Sequence, residues 1–531
     1  MKKNTTRMLL LSLLSVVLLS VPFLVPHCGW LALGGLVPLL CMERIATEEK
    51  RRYFWWWHYG TFVLWNAATT WWVCNATVGG GIFAIFANAL QMSLIFGLFR
   101  WVKRRFHGVI PYIFLAADWI AWEKYYLVVA EISWPWLVLG NAFADTTGLV
   151  QWYEYLGSLS GSLWVWTANL SLFGGMVALS DGRIRRWNGK ARAAAASGLV
   201  LVLFGPMLWS AALCGRQESP SGEARVIIAQ PNIDPYNKFG GMDQDTQTAI
   251  LLDLFAKGLA GEDGPVLLVG PETFTGNMQT GHYEGCKTWR RMRDFLTEHP
   301  QAQILCGAST YTLTEGARPS PSAYVYHSDL WVESHNSAFL MDSTGRTDIY
   351  HKMKLVPGVE FLPYVSVLGP VDDKLLGGVS GRNLGQKEVS LLQWDKIPVG
   401  CAVCYESVYG EHCAIYVRKG ARLLSVITND AWWGDTPGYH QHLNYSRLRA
   451  IETRRDIARC GNTGISALID AHGHIQKRTA WWQPAILKGT LHLYDRQTFF
   501  VRYGDIPGRI SVFVFALLLL AALVQRVRRR G

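Results

Sequence analysis

The sequence has no Cys/His spacing of a zinc site, no internal repeat and no low-complexity linker. The first absence excludes a structural zinc module. The others exclude a repeat array and leave compact domains and membrane helices as the classes to weigh. One formal C-x-x-C exists, Cys401-Ala402-Val403-Cys404. A redox dithiol of that kind opens a helix, whereas both of these thiols lie in an apolar run that reads as a strand. The ten cysteines are otherwise scattered, and Cys286 with Cys306 is a candidate pair only outside the cytoplasm.

Lysine and arginine are missing from alternate gaps between apolar runs. His27-Cys28-Gly29 and the stretch from Asn75 to Gly81 carry none. They concentrate in the remaining flanks: Lys2, Lys3 and Arg7, then Arg44 to Arg52, Arg100 to Arg105, Arg183 to Arg192 and Arg526 to Arg530. The net charge of +11 is therefore a positive-inside pattern and not a binding stripe, and no nucleic-acid partner is expected. No small-residue cleavage site follows the first apolar run, Met8 to Val25, so a retained helix is expected in place of a removed signal peptide.

What is present falls into two regimes. Of 531 residues, half are apolar and 24 are Trp. Apolar runs continue at Trp30 to Met42, Trp55 to Cys74, Ile82 to Phe99, Val109 to Ala121, Leu159 to Leu179 and Ser197 to Cys214, with a last one at Ile510 to Val524. A spanning helix needs ~20 residues, so the shorter runs must recruit their aromatic flanks. About eight crossings put both termini and every basic loop on the cytoplasmic side. The expected domains are a membrane bundle at 1–220, a catalytic domain at 221–500 lying outside the cytoplasm (the periplasm of a Gram-negative cell), and a returning helix with a basic tail at 501–531. One loop, Glu131-Ile132-Ser133-Trp134-Pro135-Trp136-Leu137, runs on to Trp152 and Tyr155 and reads either as an aromatic interfacial loop or as a lipid gate.

The second regime alternates apolar strands with amphipathic helices, an α/β layered pattern. Strands are expected at Val226–Gln230, Val266–Val269, Gln303–Gly307, Asn336–Met341, Thr347–Tyr350, up to Cys404, and at Leu423–Thr428. Helices are expected at Asp243–Leu259, Lys287–Glu298, Val408–Lys419 and His440–Arg459.

Three of these strand ends carry chemistry. Thiolate is a strong acyl acceptor, and Cys404 stands where a strand gives way to a helix, whose amino terminus favours the anion. Alone, a Cys in an apolar strand is core. Glu272, after Pro271, is a candidate general base and alone an ordinary loop acid. Lys352 is a candidate for holding an oxyanion and alone a solvated lysine. His440 and His442 point apart on a helix and have no evident third ligand, so structural roles are expected and no metal. Asn429 and Asp430 read as fixing a turn. Arg447, Arg449, Arg454 and Arg455 read as a solvated helix face or a headgroup contact.

Taken together, Glu272, Lys352 and Cys404 resemble the nitrilase (carbon–nitrogen hydrolase) superfamily. The strings from Tyr350 to Pro363, Cys404-Tyr405-Glu406, Thr428 to Asp435 with His440-Gln441-His442, and Trp134 to Leu137 are similar to its apolipoprotein-acylating branch. The resemblance implies an α-helical membrane bundle plus a nitrilase-like αββα sandwich in a bacterial inner membrane. It implies an acyltransferase that moves a chain from a phospholipid through a Cys404 thioester to the amine of a diacylglyceryl apolipoprotein, with Glu272 as base, Lys352 at the oxyanion and no cofactor. Glu360 matches a second supporting glutamate, Tyr405 and Glu406 match positions beside the nucleophile, and Trp134 and Trp432 match acyl-binding positions. Gly358-Val359 stands where the family often has Phe-Gly. A membrane-tethered amidase, using water as the second acceptor, and a lipoprotein-binding component with a degenerate site are the competing readings.

Overall fold

In the computed structural model, residues 2–216, 218–369 and 381–528 are described; Arg529 and Arg530 of the basic tail lie outside them. The chain divides into two compact units. One comprises Met1–Ala130, Trp134–Gln217 and Tyr503–Gly531, the other Glu131–Ser133 and Glu218–Arg502.

The first unit is helical: α1 (Lys2–Leu24), α2 (Val37–Glu48), α3 (Phe54–Thr70), α4 (Val78–Lys103), α5 (Ile110–Val128), α6 (Ser158–Ser180), α7 (Gly189–Cys214) and a last helix, Ile506–Arg528. Helices thus stand at every expected crossing. Among the described residues, 6 are long and apolar enough to cross a membrane. The two below that mark are α3, with 17 residues, and α5, which carries Asp118, Glu123 and Lys124. Rows of large apolar side chains face outward, as Leu9, Leu10, Leu13 and Val17 do on α1 and Val200, Leu201, Phe204 and Leu208 on α7. That is the inverse of a water-soluble helix.

Several polar groups of this unit are paired within it. The helical stretch Gly29–Glu48 breaks at Leu36, and Asn169 Oδ1 accepts from the freed N–H groups of Leu36 (2.7 Å) and Val37 (3.1 Å). Lys103 meets Glu43 at 2.5 Å, Arg44 meets Asp181 at 2.6 Å and Arg51 donates to Thr5 at 3.2 Å. These ties gather the amino terminus and the basic ends of three loops at one end of the bundle.

The second unit is a four-layer αββα sandwich. Its strands are β1 (Gly222–Gln230), β2 (Val266–Val269), β3 (Thr275–Gln279), β4 (Ala302–Glu315), β5 (Tyr324–His327), β6 (Leu330–Met341), β7 (Thr347–His351), β8 (Leu392–Trp394), β9 (Ile397–Val403), β10 (Leu423–Thr428), β11 (Ile457–Gly461), β12 (Ala467–Ile469), β13 (Ile475–Arg478) and β14 (Ala485–Leu493). One sheet has 8 strands, in the path β14-β1-β2-β4-β6-β5 with β3 on β4 and β7 on β6; the other has 6, in the order β13-β12-β11-β10-β9-β8. Helices α8 (Gln244–Leu259) and α9 (Lys287–Glu298) cover the first sheet; α10 (Gly410–Arg418) and α11 (Pro437–Thr453) cover the second.

The period-two alternation of strands builds both interfaces. On β1, Val226 and Ile228 enter the core between the sheets, while Ile227 and Ala229 face α8 and α9. One expectation fails here. The helix read to Arg459 stops at Thr453, because Arg454 adopts a left-handed φ of 48°, and Ile457–Gly461 then forms β11, fully buried and parallel to β10. Cys286 and Cys306, whose pairing the sequence leaves open, are free thiols.

Candidate active site

Strand β2 runs parallel to β1 and β4, and β9 runs parallel to β10; their carboxyl ends carry Glu272 and Cys404, the usual place for chemistry on such sheets. After β2 the chain stays pinned to β4: Gly270 N–H donates to Leu305 O (2.8 Å) and Gly307 N–H to Pro271 O (3.0 Å). A Cβ on Gly307 would lie 2.6 Å from Glu272 Cα and 2.5 Å from Thr273 N, so only glycine permits this approach. Lys238 Nζ donates to the main-chain oxygen of Glu272 (2.8 Å) and to Thr273 Oγ1 (2.9 Å).

Lys352 follows β7, its N–H donating to Asn336 O at 2.8 Å. Its side chain is 1% exposed, and Nζ donates to Glu360 Oε1 at 2.9 Å and Glu272 Oε1 at 3.3 Å. Asn336 Nδ2 bridges the same two oxygens, at 2.8 Å to Glu272 and 2.6 Å to Glu360. Glu360 Oε2 accepts from Val356 N–H at 2.7 Å. Burial works against the Lys352 charge, but the carboxylates of Glu360 and Glu272 outweigh it and hold the ammonium above its ordinary range.

Cys404 adopts φ 51°, a left-handed conformation that costs a side-chain-bearing residue ~1–3 kcal/mol. Glu406 fixes the turn. Its Oε2 accepts from Val403 N–H (2.9 Å), and its Oε1 from Tyr350 Oη–H (2.6 Å), Met353 N–H (2.7 Å) and Lys354 N–H (3.1 Å). One carboxylate thereby ties the Cys404 turn to the segment carrying Lys352. It is held below the usual range because His412, Tyr350 and the backbone donors overcome its burial. Burial pushes the Cys404 thiol well up, the Glu272 charge adds to this, and Lys352 opposes it. A thiol in this setting needs a base at the moment of reaction, and Glu272 is the carboxylate whose charge it feels most.

Behind the turn, His442 on α11 donates from Nδ1 to Asp430 Oδ1 at 2.9 Å, and its Nε2 lies 3.0 Å from Cys404 O and 2.9 Å from Ser407 Oγ. Arg459 on β11 donates to Asp430 Oδ2 at 2.5 Å and Thr428 to Oδ1 at 2.6 Å. Asp430 is held down by His442 and Arg459 against its burial. Ligand atoms of Cys404, Asp430 and His442 come within 4.8 Å of one another, a set that sequence spacing did not reveal. The donor chemistry does not fit a metal: both Asp430 oxygens already accept protein donors, and a guanidinium abuts them.

The remaining expected residues are dispersed. Trp432 stacks on Phe239 at 5.9 Å, with Tyr236 edge-on at 5.7 Å. Tyr405 donates its hydroxyl to Ser133 O at 2.9 Å, and Ser133 Oγ bonds Tyr409 Oη at 2.9 Å. Trp134 belongs to the helical unit, stacked on Trp136 at 5.0 Å. The arginine face expected to be solvated is not: Arg449, Arg454 and Arg455 are buried, donating to Val408 O, Ala471 O and Ala421 O. Sequence reasoning missed Asn336 and Lys238. A lone Asn in a buried strand was the available signal for the first; Lys238 had none beyond its loop.

Residues 226–499 match the family model described as carbon-nitrogen hydrolase, and residues 15–171 match that of the apolipoprotein N-acyltransferase N-terminal domain. Proteins named apolipoprotein N-acyltransferase are similar along nearly the whole chain. That of Chlorobaculum tepidum is 29% identical over 552 residues, covering 97% of this chain and 98% of its own. That of Geobacter metallireducens is 30% identical over 538 residues, covering 98% and 95%.

Proposed function

We infer the reaction from one premise: the chain belongs to the carbon–nitrogen hydrolase family and, within it, to the apolipoprotein N-acyltransferases. It is a membrane enzyme that N-acylates lipoproteins with a phospholipid as acyl donor. Its own residues divide the work as follows. Glu272 takes the Cys404 proton, and the thiolate attacks the ester carbonyl of the donor. Lys352 faces the developing oxyanion. As the tetrahedral adduct collapses, Glu272 returns the proton to the departing lysophospholipid alkoxide, leaving an acyl thioester on Sγ. The free amine of the diacylglyceryl cysteine then attacks, Glu272 accepts its proton, and the thiolate leaves as the amide forms.

The observation that carries this reading is the buried ammonium of Lys352 shared by Glu272 and Glu360, with the charges of Glu272 and Lys352 both acting on the Cys404 thiol. Glu360, Glu406 and Tyr405 support the site without reacting; Trp432 and Trp134 contact acyl chains. The catalytic domain is assigned to 221–500, outside the cytoplasm at the bacterial inner membrane, with 1–220 as the membrane helices and 501–531 as a returning transmembrane helix with a basic cytoplasmic tail. Supporting this, the basic ends of the bundle's loops gather together. A reporter fused at Pro220 should be active only outside the cytoplasm; activity inside would reverse the orientation.

The decisive test is intact-protein mass spectrometry after incubation with phospholipid. The wild type should gain one long-chain acyl mass on Cys404, and Cys404→Ala none. A Cys404→Ala protein that still acylates a diacylglyceryl peptide would remove Cys404 from the mechanism. Transfer gives an N-acylated peptide as product, whereas an amidase would give free acid.

A further inference from the structure

His442 is fully buried, and the nearest partners of its ring nitrogens accept: Ser407 spends its hydroxyl proton on Cys404 O at 2.8 Å and so turns a lone pair to Nε2, while Arg459 spends its nearest N–H on Asp430 Oδ2 at 2.5 Å and leaves Asp430 Oδ1 as the closest partner of Nδ1. The Cys404 carbonyl oxygen has no hydrogen to give, so Nε2, 3.0 Å away, carries one. The Asp430 carboxylate is charged, held so by Arg459 and His442, so Nδ1, 2.9 Å from Oδ1, carries one too. The ring is then an imidazolium, wedged between an aspartate and the backbone of the nucleophile's own turn.

Its surroundings are charged on several sides. Asp430 and Thr428 approach from the end of β10, Arg459 from β11, Ser407 and Cys404 from the turn, and the Trp433 ring lies edge-on at 5.5 Å. Arg459 also comes within 3.3 Å of Nδ1. One anion and two cations leave the cluster with net positive charge, and its ligand atoms lie within 4.8 Å of Cys404 Sγ. The thiol otherwise faces Glu272, which disfavours the thiolate, and Lys352, which favours it.

We propose that His442 is a positioning residue for the acyl transfer: as an imidazolium clamped by Asp430, it pins the left-handed Cys404 through its carbonyl oxygen and adds a second fixed positive charge beside the thiolate. This rests on Cys404 being the nucleophile, but Glu272 and Lys352 act on the sulfur from the sheet that carries β2, and His442 acts from helix α11, through the turn itself. The role differs from that of Glu406, which ties the same turn to the Lys352 segment through hydrogen bonds to its carboxylate.

His442→Gln keeps one donor and roughly the side chain's length while deleting the charge. In the full-length enzyme in bilayers, it should slow thioester formation about tenfold or more, with KM for phospholipid unchanged. It should also raise the pH at which iodoacetamide half-maximally alkylates Cys404 by about one unit. A purely structural strut would lower the amount of active protein without moving that midpoint. A folded His442→Gln enzyme with wild-type midpoint and kcat would overturn the proposal.

A second measurement needs no variant. Solid-state NMR of wild type carrying 15N-histidine and 13C-carbonyl cysteine identifies the ring nitrogen coupled to the Cys404 carbonyl. Both nitrogens of that ring should carry protons, and a neutral imidazole signature there would overturn the assignment even if the variant does not fold. Cys404→Ala separates the two layers: if it retains transfer activity, the nucleophile falls; if it is dead while the midpoint is insensitive to His442, only this inference falls.

Discussion

A charged carboxylate beside a thiol disfavours loss of the thiol proton to solvent, yet it is also the group able to take that proton. The charge of Glu272 is the largest influence after burial in holding the Cys404 thiol up. The two effects separate in a variant. Glu272→Gln should lower phospholipid-dependent thioester formation by about 10²–10⁴-fold, because the base is gone. The same variant should move the alkylation midpoint of Cys404 downward, because an opposing charge is gone. Lys352→Met should move that midpoint upward and abolish turnover. A Glu272→Gln midpoint that rises would show that the carboxylate is not charged beside the sulfur.

At the scale of elements, function depends on turns that leave strands at fixed angles. Gly307 lets β4 pass against the backbone at Glu272. Gly307→Ala forces backbone atoms apart, and overpacking of this kind costs ~1–3 kcal/mol. Activity should fall further than stability, since the displaced residue is the proposed base; the comparison of kcat with the melting temperature checks this. Glu406→Gln leaves the donors of Val403, Met353, Lys354 and Tyr350 competing for a neutral amide. It should destabilise the catalytic domain by about 3 kcal/mol, seen in denaturant titration of the folded enzyme. Element reading from sequence failed at β11 for a related reason. Arg454-Arg455-Asp456 looks like a continuing polar helix, yet both arginines are buried and satisfied by carbonyls from distant elements. No local pattern reports such partners.

For the whole molecule, buried ion pairs set the acid limit. Asp430 and Glu406 both titrate below their unfolded values, so in the window between folded and unfolded pKa the unfolded chain binds more protons. Stability then rises with pH through that window and is lost as the pH falls below about 4. Asp430→Asn should flatten the acid limb of the melting-temperature profile, and an unchanged limb would mean the pair with Arg459 contributes nothing. The helical unit follows another rule: its polar groups must be met inside, as Asn169 does at the break before Val37.

The sequence by itself determined the two regimes, the places of the apolar helices, the alternating strands and the strand ends on which the candidates Glu272, Lys352 and Cys404 stand. These are written in hydrophobic period, basic flanks and short strings, all local signals. Only the tertiary structure decided that Asn336 bridges two glutamates, that Lys238 holds the Glu272 carbonyl, and that Asp430, His442 and Arg459 form one cluster behind the Cys404 turn. Each joins residues from separate strands or loops, and hydrogen-bond partners brought together by sheet stacking leave no trace in spacing along a chain.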